Sequence, residues 1–192
     1  MSNARNLARL LPNTSGQIAL PSQVSGVLPD ANAPSGSVLQ VVQTVKTDTS
    51  STTTASWVDL MSASITPISA SSKILILAHV SYSGYNSTPF FKLLRNSTDL
   101  TVADAAGSRS RVFAGSHLSS SGTLTFVQYL ISNASMHLLD SPNTTSATTY
   151  KVQFSENNQA GSASVINRPF ADTDATWNPR VVSTLTLLEI AG

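Results

Sequence analysis

Residues 73–82 read KILILAHVSY, a run of strand-forming side chains with no Gly, Pro, Asn or Asp to break it. Alternation along a strand places Ile74, Ile76, Ala78 and Val80 on one side and Leu75, Leu77 and His79 on the other, so both faces are largely apolar. A strand whose outer face meets water reads apolar-in and polar-out instead. The two-sided pattern returns at 124–131, where Leu124, Phe126 and Leu130 back onto Val127, Tyr129 and Ile131. It returns again where Leu185 and Leu187 back onto Val182, Leu188 and Ile190. One face of each segment is expected in a core and the other at a subunit interface. The residues expected to form these strands are Ile74, Leu75, Ile76, Leu77, Phe126, Tyr129, Leu185, Leu187 and Leu188.

Working outward, short apolar runs alternate with turns rich in Ser, Thr, Asn, Gly and Pro from Ser37 to the end. Strands are expected near 38–46, 57–65, 73–82, 89–95, 109–114, 124–131, 136–139, 148–154, 162–167 and 181–190, and helix has little support past residue 36. The fold class is all-β, an antiparallel β-sandwich over residues 36–192 preceded by an extended segment, residues 1–35. With no helix to cover an apolar outer face, other copies of the chain are the simplest cover. A threefold ring is favoured, and a dimer also fits.

Charged residues make up only 11% of the chain, against roughly 25% in ordinary soluble domains. Ser and Thr, over a quarter of the residues, supply the polar surface in their place. Glu occurs only at 156 and 189, and a net charge of +1 offers no footprint for a polyanion. Arg109 and Arg111, spaced to share a strand face, are the nearest approach to a basic cluster, so no nucleic-acid partner is expected. There is no cysteine to form disulfides or thiolate metal sites. The apolar run in Met1–Leu11 is too short for a signal peptide and no segment reaches the length of a membrane span, so synthesis in a cytoplasm without membrane insertion is expected.

Residues 1–35 carry Pro12, Pro21, Pro29 and Pro34, which remove backbone donors and bias the preceding residues to extended conformations. The segment reads as a strap, and the alternative is a disordered tail. Leu7, Leu10, Leu11, Ile18, Leu20, Val24, Val27 and Leu28 are its candidate anchor contacts with a partner protein.

Signals for catalysis and metal binding are weak. His79, His117 and His137 are far apart with no second ligand at metal spacing, although a threefold axis could gather copies of one of them. The Asp172-Thr173-Asp174 run fits a turn as well as a calcium loop. No G-x-S-x-G elbow occurs, and sequence separation does not decide whether two carboxylates flank a groove. The expectation is a non-enzymatic protein without cofactor or metal. Aromatics in turns offer a flat apolar face with a polar edge, and Tyr82, Tyr85 and Trp177 are the candidate contacts for a cell-surface glycan.

The order of phrases along the chain carries a resemblance. LPDANAPSGSVLQVVQT (28–44) is followed by SASITPISASSKILILAHVSYS (62–83) and DAAGSRSRV (104–112), then by LLDSPNTTSATTYKVQF (138–154) and VVSTLTLLEIAG (181–192). Taken together they resemble small tail-fibre-like virion proteins of bacteriophages, cyanophages among them, over nearly the full length. The resemblance implies a homotrimeric jelly-roll head similar to tumour necrosis factor. It also implies an N-terminal segment joined to a baseplate, tail or longer fibre of the virion, and host attachment by the head. Such fibres often have a long shaft, and this chain has room only for a strap. A decoration or cement protein on the capsid exterior is therefore the second expectation.

Overall fold

The computed structural model describes residues 33–101, 103–118, 125–157 and 162–192. The expected anchor contacts between Leu7 and Leu28 lie outside them. The unit from Pro34 to Gly192 is built on eleven strands among the described residues. These are β1 (Val38–Lys46), β2 (Ser50–Thr52), β3 (Val58–Ile65), β4 (Lys73–Gly84), β5 (Pro89–Arg95), β6 (Thr98–Asp99), β7 (Ala114–Gly115), β8 (Ser132–Asp140), β9 (Thr148–Glu156), β10 (Ser164–Ile166) and β11 (Ser183–Ile190).

All pairings are antiparallel. In the first sheet β1 pairs β11, β11 pairs β4, and β4 pairs β8, while β10 continues the line of β11 along β4 and takes β2 on its other side. The second sheet runs β3, β9, β5, with the short β6 and β7 on the far side of β5. If β1 with β2, β6 with β7, and β10 with β11 each count as one line, the first line pairs the last, the second the seventh, the third the sixth and the fourth the fifth. This nested pairing is a long hairpin rolled over on itself, the jelly roll.

The core lies between the inner faces. Ile74, Ile76 and Val80 of β4, Met136 of β8, and Leu185 and Leu187 of β11 are fully buried. They meet Ile65, Phe91, Leu93, Tyr150, Val152 and Phe154 from the second sheet. Each such side chain contributes about 1.5–3 kcal/mol relative to exposure. A half-buried polar tie joins the sheets at one end. Arg95 Nη1 donates to both oxygens of Asp140 at 2.9 Å, and the Tyr150 hydroxyl donates to Asp140 Oδ2 at 2.6 Å. Burial, reinforced by the neighbouring Asp140 carboxylate, pushes the Tyr150 hydroxyl well above the ordinary tyrosine range.

Two expected strands are not formed as such. Residues 125–129 are a 3₁₀ turn, with Leu130 N donating to Val127 O at 3.2 Å. The apolar alternation there is real, but a strand also needs an edge to pair with. Both sides of β4 are already taken, by β8 and by β11 with β10, so the segment before β8 closes on its own carbonyls. Phe126 and Tyr129 thus leave the set of interface strands. Of the expected strand at 109–114 only Ala114 joins a ladder, as the first residue of β7 against β5. Arg109 and Arg111 do not share a strand face. Arg109 Nη1 and Arg111 Nε instead donate to the loop carbonyls of Ala106 and Ala103.

The ends of the sandwich differ in what they carry. At one end Gly36 N donates to Ala191 O and Ala191 N to Ser37 O, both at 2.8 Å, so the first described residues meet the last. At the opposite end lie the 3₁₀ turn leading to β8 and the loop from β10 to β11.

Candidate functional site

The outer face of the first sheet is apolar in a continuous row. The register places Val41 of β1 beside Leu188 of β11, Leu188 beside Leu75 of β4, and Leu75 beside Leu139 of β8. Val41 is 57% and Leu139 51% exposed, with Leu75 and Leu188 half-buried between them. In the next row Gln43, Thr186, Leu77 and His137 are neighbours, and beyond it Val45, Thr184, His79 and Ser135. Of the expected strand residues, Ile74, Ile76, Leu185 and Leu187 therefore point into the core, and Leu75, Leu77 and Leu188 point out.

The outer face of the second sheet is paired and polar. Lys151 Nζ lies 3.0 Å from Asp59, and Gln153 Nε2 donates to Asp59 Oδ1 at 2.7 Å. These bonds, that from Gln153 foremost, hold the Asp59 carboxyl below the usual carboxylate range. Lys92 pairs with Asp99 at 2.7 Å and sits over the Trp57 ring at 4.6 Å. The first sheet thus carries an aliphatic row beside mixed, largely polar rows on its outer face, whereas the second carries ion pairs.

The three turn aromatics separate. Tyr82 is buried, its ring 5.1 Å from that of Phe91 and its hydroxyl donating to Ser116 Oγ at 3.1 Å. This is a core position, because β4 continues to Gly84 and carries Tyr82 on its inward face, so Tyr82 is not a surface contact. Tyr85 is half-buried and stacks on Phe170 with centroids 5.9 Å apart. Trp177 stands 60% exposed, edge-on to Tyr129 at 5.1 Å and 81°. Its partner Tyr129 was concealed in the sequence by the strand-like alternation around it.

The remaining candidates are occupied structurally. Asp172 takes Arg180 Nη1 at 2.5 Å and Arg168 Nε at 3.8 Å, and the Arg180 contact first of all lowers its carboxyl below the usual range. His117 Nδ1 shares a 2.8 Å hydrogen bond with the Thr88 hydroxyl. Among the described residues no group of three or more His, Asp or Glu is placed to hold a metal ion. Glu156 and Glu189, which sequence reasoning passed over, are both buried and both brace loops. Thr88 N donates to Glu156 Oε1 at 2.7 Å, and Ser164 Oγ donates to Glu156 Oε2. Glu189 accepts from Gln40 Nε2 at 2.5 Å and from Ile68 N at 2.8 Å.

The fold defines the chain as a jelly-roll β-sandwich protein. No family model and no curated protein matches it. Among solved structures it is similar to that of the infectious bursal disease virus Gx strain, at 13% identity and a TM-score of 0.43, over 88% of this chain and 42% of that one. It is also similar to the infectious bursal disease virus VP2 subviral particle, at 13% identity and a TM-score of 0.39, over 79% and 41% of the two chains. For the Gt strain of the same virus the values are 14%, 0.38, 88% and 42%. The chain spans about two fifths of the length of these structures.

Proposed function

We propose that this chain is a non-enzymatic structural protein of a bacteriophage particle. It forms a homotrimer through the outer face of its first sheet, is joined to the virion through residues 1–35, and presents the far end of the sandwich to the host surface. The observation that carries the reading is the contrast between the outer faces. A row of four aliphatic side chains crosses one sheet, while the other is laced with ion pairs. An aliphatic row left uncovered among the described residues, on a chain with no cysteine, is stabilised by burying it against copies of itself.

The resemblance in the order of sequence phrases points to a tail-fibre or baseplate appendage. The position of the aromatic loop, at the end opposite Gly36, suits attachment by a head held from its other end. Three heads per appendage would bind through avidity, each contact weak alone. A capsid decoration protein of the same fold and assembly is the second reading, because an aliphatic row on one sheet face would serve a trimer on a capsid as well as on an appendage. Light scattering on the full chain is expected to give a mass about three times 20.2 kDa. A monomer would overturn the assembly.

A further inference from the structure

We propose that the exposed edge-to-face pair of Trp177 and Tyr129 is a binding platform for a neutral pyranose ring. The assignment rests on the host-attachment reading but is tested separately from it.

Its first ground is the combination of exposure with rigidity. Phe126 and Tyr129 lie three residues apart on the 3₁₀ turn, where side chains at that spacing eclipse, and Phe126 is 53% exposed. Isolated apolar side chains on a surface are ordinary, but Phe126, Tyr129 and Trp177 gather on two adjoining segments. The Trp177 loop is not free to fold them away. Asn178 Nδ2 donates to Ala171 O at 2.6 Å and to Thr173 O at 2.9 Å, and Ala171 N donates to Gln128 O at 2.9 Å, tying the loop to the 3₁₀ turn. The Arg180–Asp172 pair closes the other side. An indole held out from the surface by this many bonds is pre-organised for contact.

The second ground is the polar chemistry of the same loop. Asp172, Asp174, Asn178 and Arg180 line a cleft of about 300 Å³, at the small end of the range for ligand sites. Asn178 Oδ1 is buried and has no hydrogen-bond partner among the described residues. A sugar ring offers what this arrangement lacks. Its C–H face suits an aromatic ring, and its hydroxyls both donate to carboxylates and accept from a guanidinium. Arg180 and Arg168 are already engaged by Asp172, so neither cation is left over for the carboxylate of an acidic sugar, and Asp174 repels it.

The test is saturation-transfer NMR from the full chain to methyl α-D-glucopyranoside, methyl β-D-galactopyranoside and N-acetylglucosamine, with N-acetylneuraminic acid as the acidic arm. Saturable transfer to the ring C–H protons of a neutral sugar is expected. Trp177→Ala should abolish it, and Tyr129→Ala should weaken it about fivefold, with light-scattering mass and thermal unfolding unchanged in both. Four results would overturn the platform: no transfer to any neutral sugar, transfer confined to the acidic one, transfer indifferent to Trp177→Ala, or loss of assembly in Trp177→Ala. The last would make the patch an interface between copies. A monomeric wild type that still bound sugar would sink the trimer and leave the platform standing.

Discussion

At the residue scale, the two glutamates show how a chain poor in charge uses the few carboxylates it has. Glu189 is buried on the inner face of β11, where it receives the backbone of Ile68 and the side chain of Gln40. Burial alone would raise its carboxyl, but the bonds from Gln40 and the backbone of Ile68 hold it below the ordinary 4.5. A carboxyl lowered by folding stabilises the fold fully above its unfolded-state value, and that stabilisation is lost as pH falls through the folded-state value. Glu189→Gln sets an amide against Gln40 Nε2 and is expected to cost about 1–3 kcal/mol near neutral pH. Thermal melts of the variant and wild type should converge as pH drops below about 4.5, since the wild type alone has this contribution to lose. A constant gap down to strong acid would contradict the account.

At the element scale, a strand buried on its inner side and apolar on its outer side gives opposite outcomes for neighbouring substitutions. Ile76 and Leu187 face the core with no exposure, so Ile76→Asp or Leu187→Asp buries a charge without a partner and is expected to unfold the chain, read as loss of the strand signal in circular dichroism. Leu188, next to Leu187, faces out within the row Val41, Leu188, Leu75 and Leu139. Leu188→Lys should keep the dichroism spectrum and convert the assembly to monomers in light scattering. A Leu188→Lys protein that stayed fully assembled would place the interface elsewhere. The 3₁₀ turn teaches the complementary lesson. Alternation at 124–131 met the pattern of a strand, but among the described residues no strand pairs with it.

At the scale of the whole molecule, the described unit holds its own first and last residues together through Gly36, Ser37 and Ala191. All of these remain in a protein that begins at residue 36. Deleting residues 1–35 is therefore expected to leave a folded sandwich with unchanged strand content and to remove the protein from virions. Immunogold labelling with an antibody against residues 36–192 checks both this and the location. Normal incorporation of the truncated chain would refute anchoring by the segment. On intact particles, gold at the tail tip or baseplate supports the appendage, and gold over the head supports the decoration reading.

The sequence by itself determined the all-β class, eight of the strand positions to within a few residues, and the two-sided character of β4 and β11. Those features follow from local residue type and a period of two, which need no knowledge of neighbours. The tertiary structure alone decided which side of each strand is the core, that Tyr82 is buried while Trp177 is exposed, and that Tyr129 belongs beside that indole. It also decided that Glu156 and Glu189 are structural braces. Burial and partnership depend on which strands lie alongside and which edges are already paired, and that information is distributed over the whole rolled hairpin and not held in any one segment.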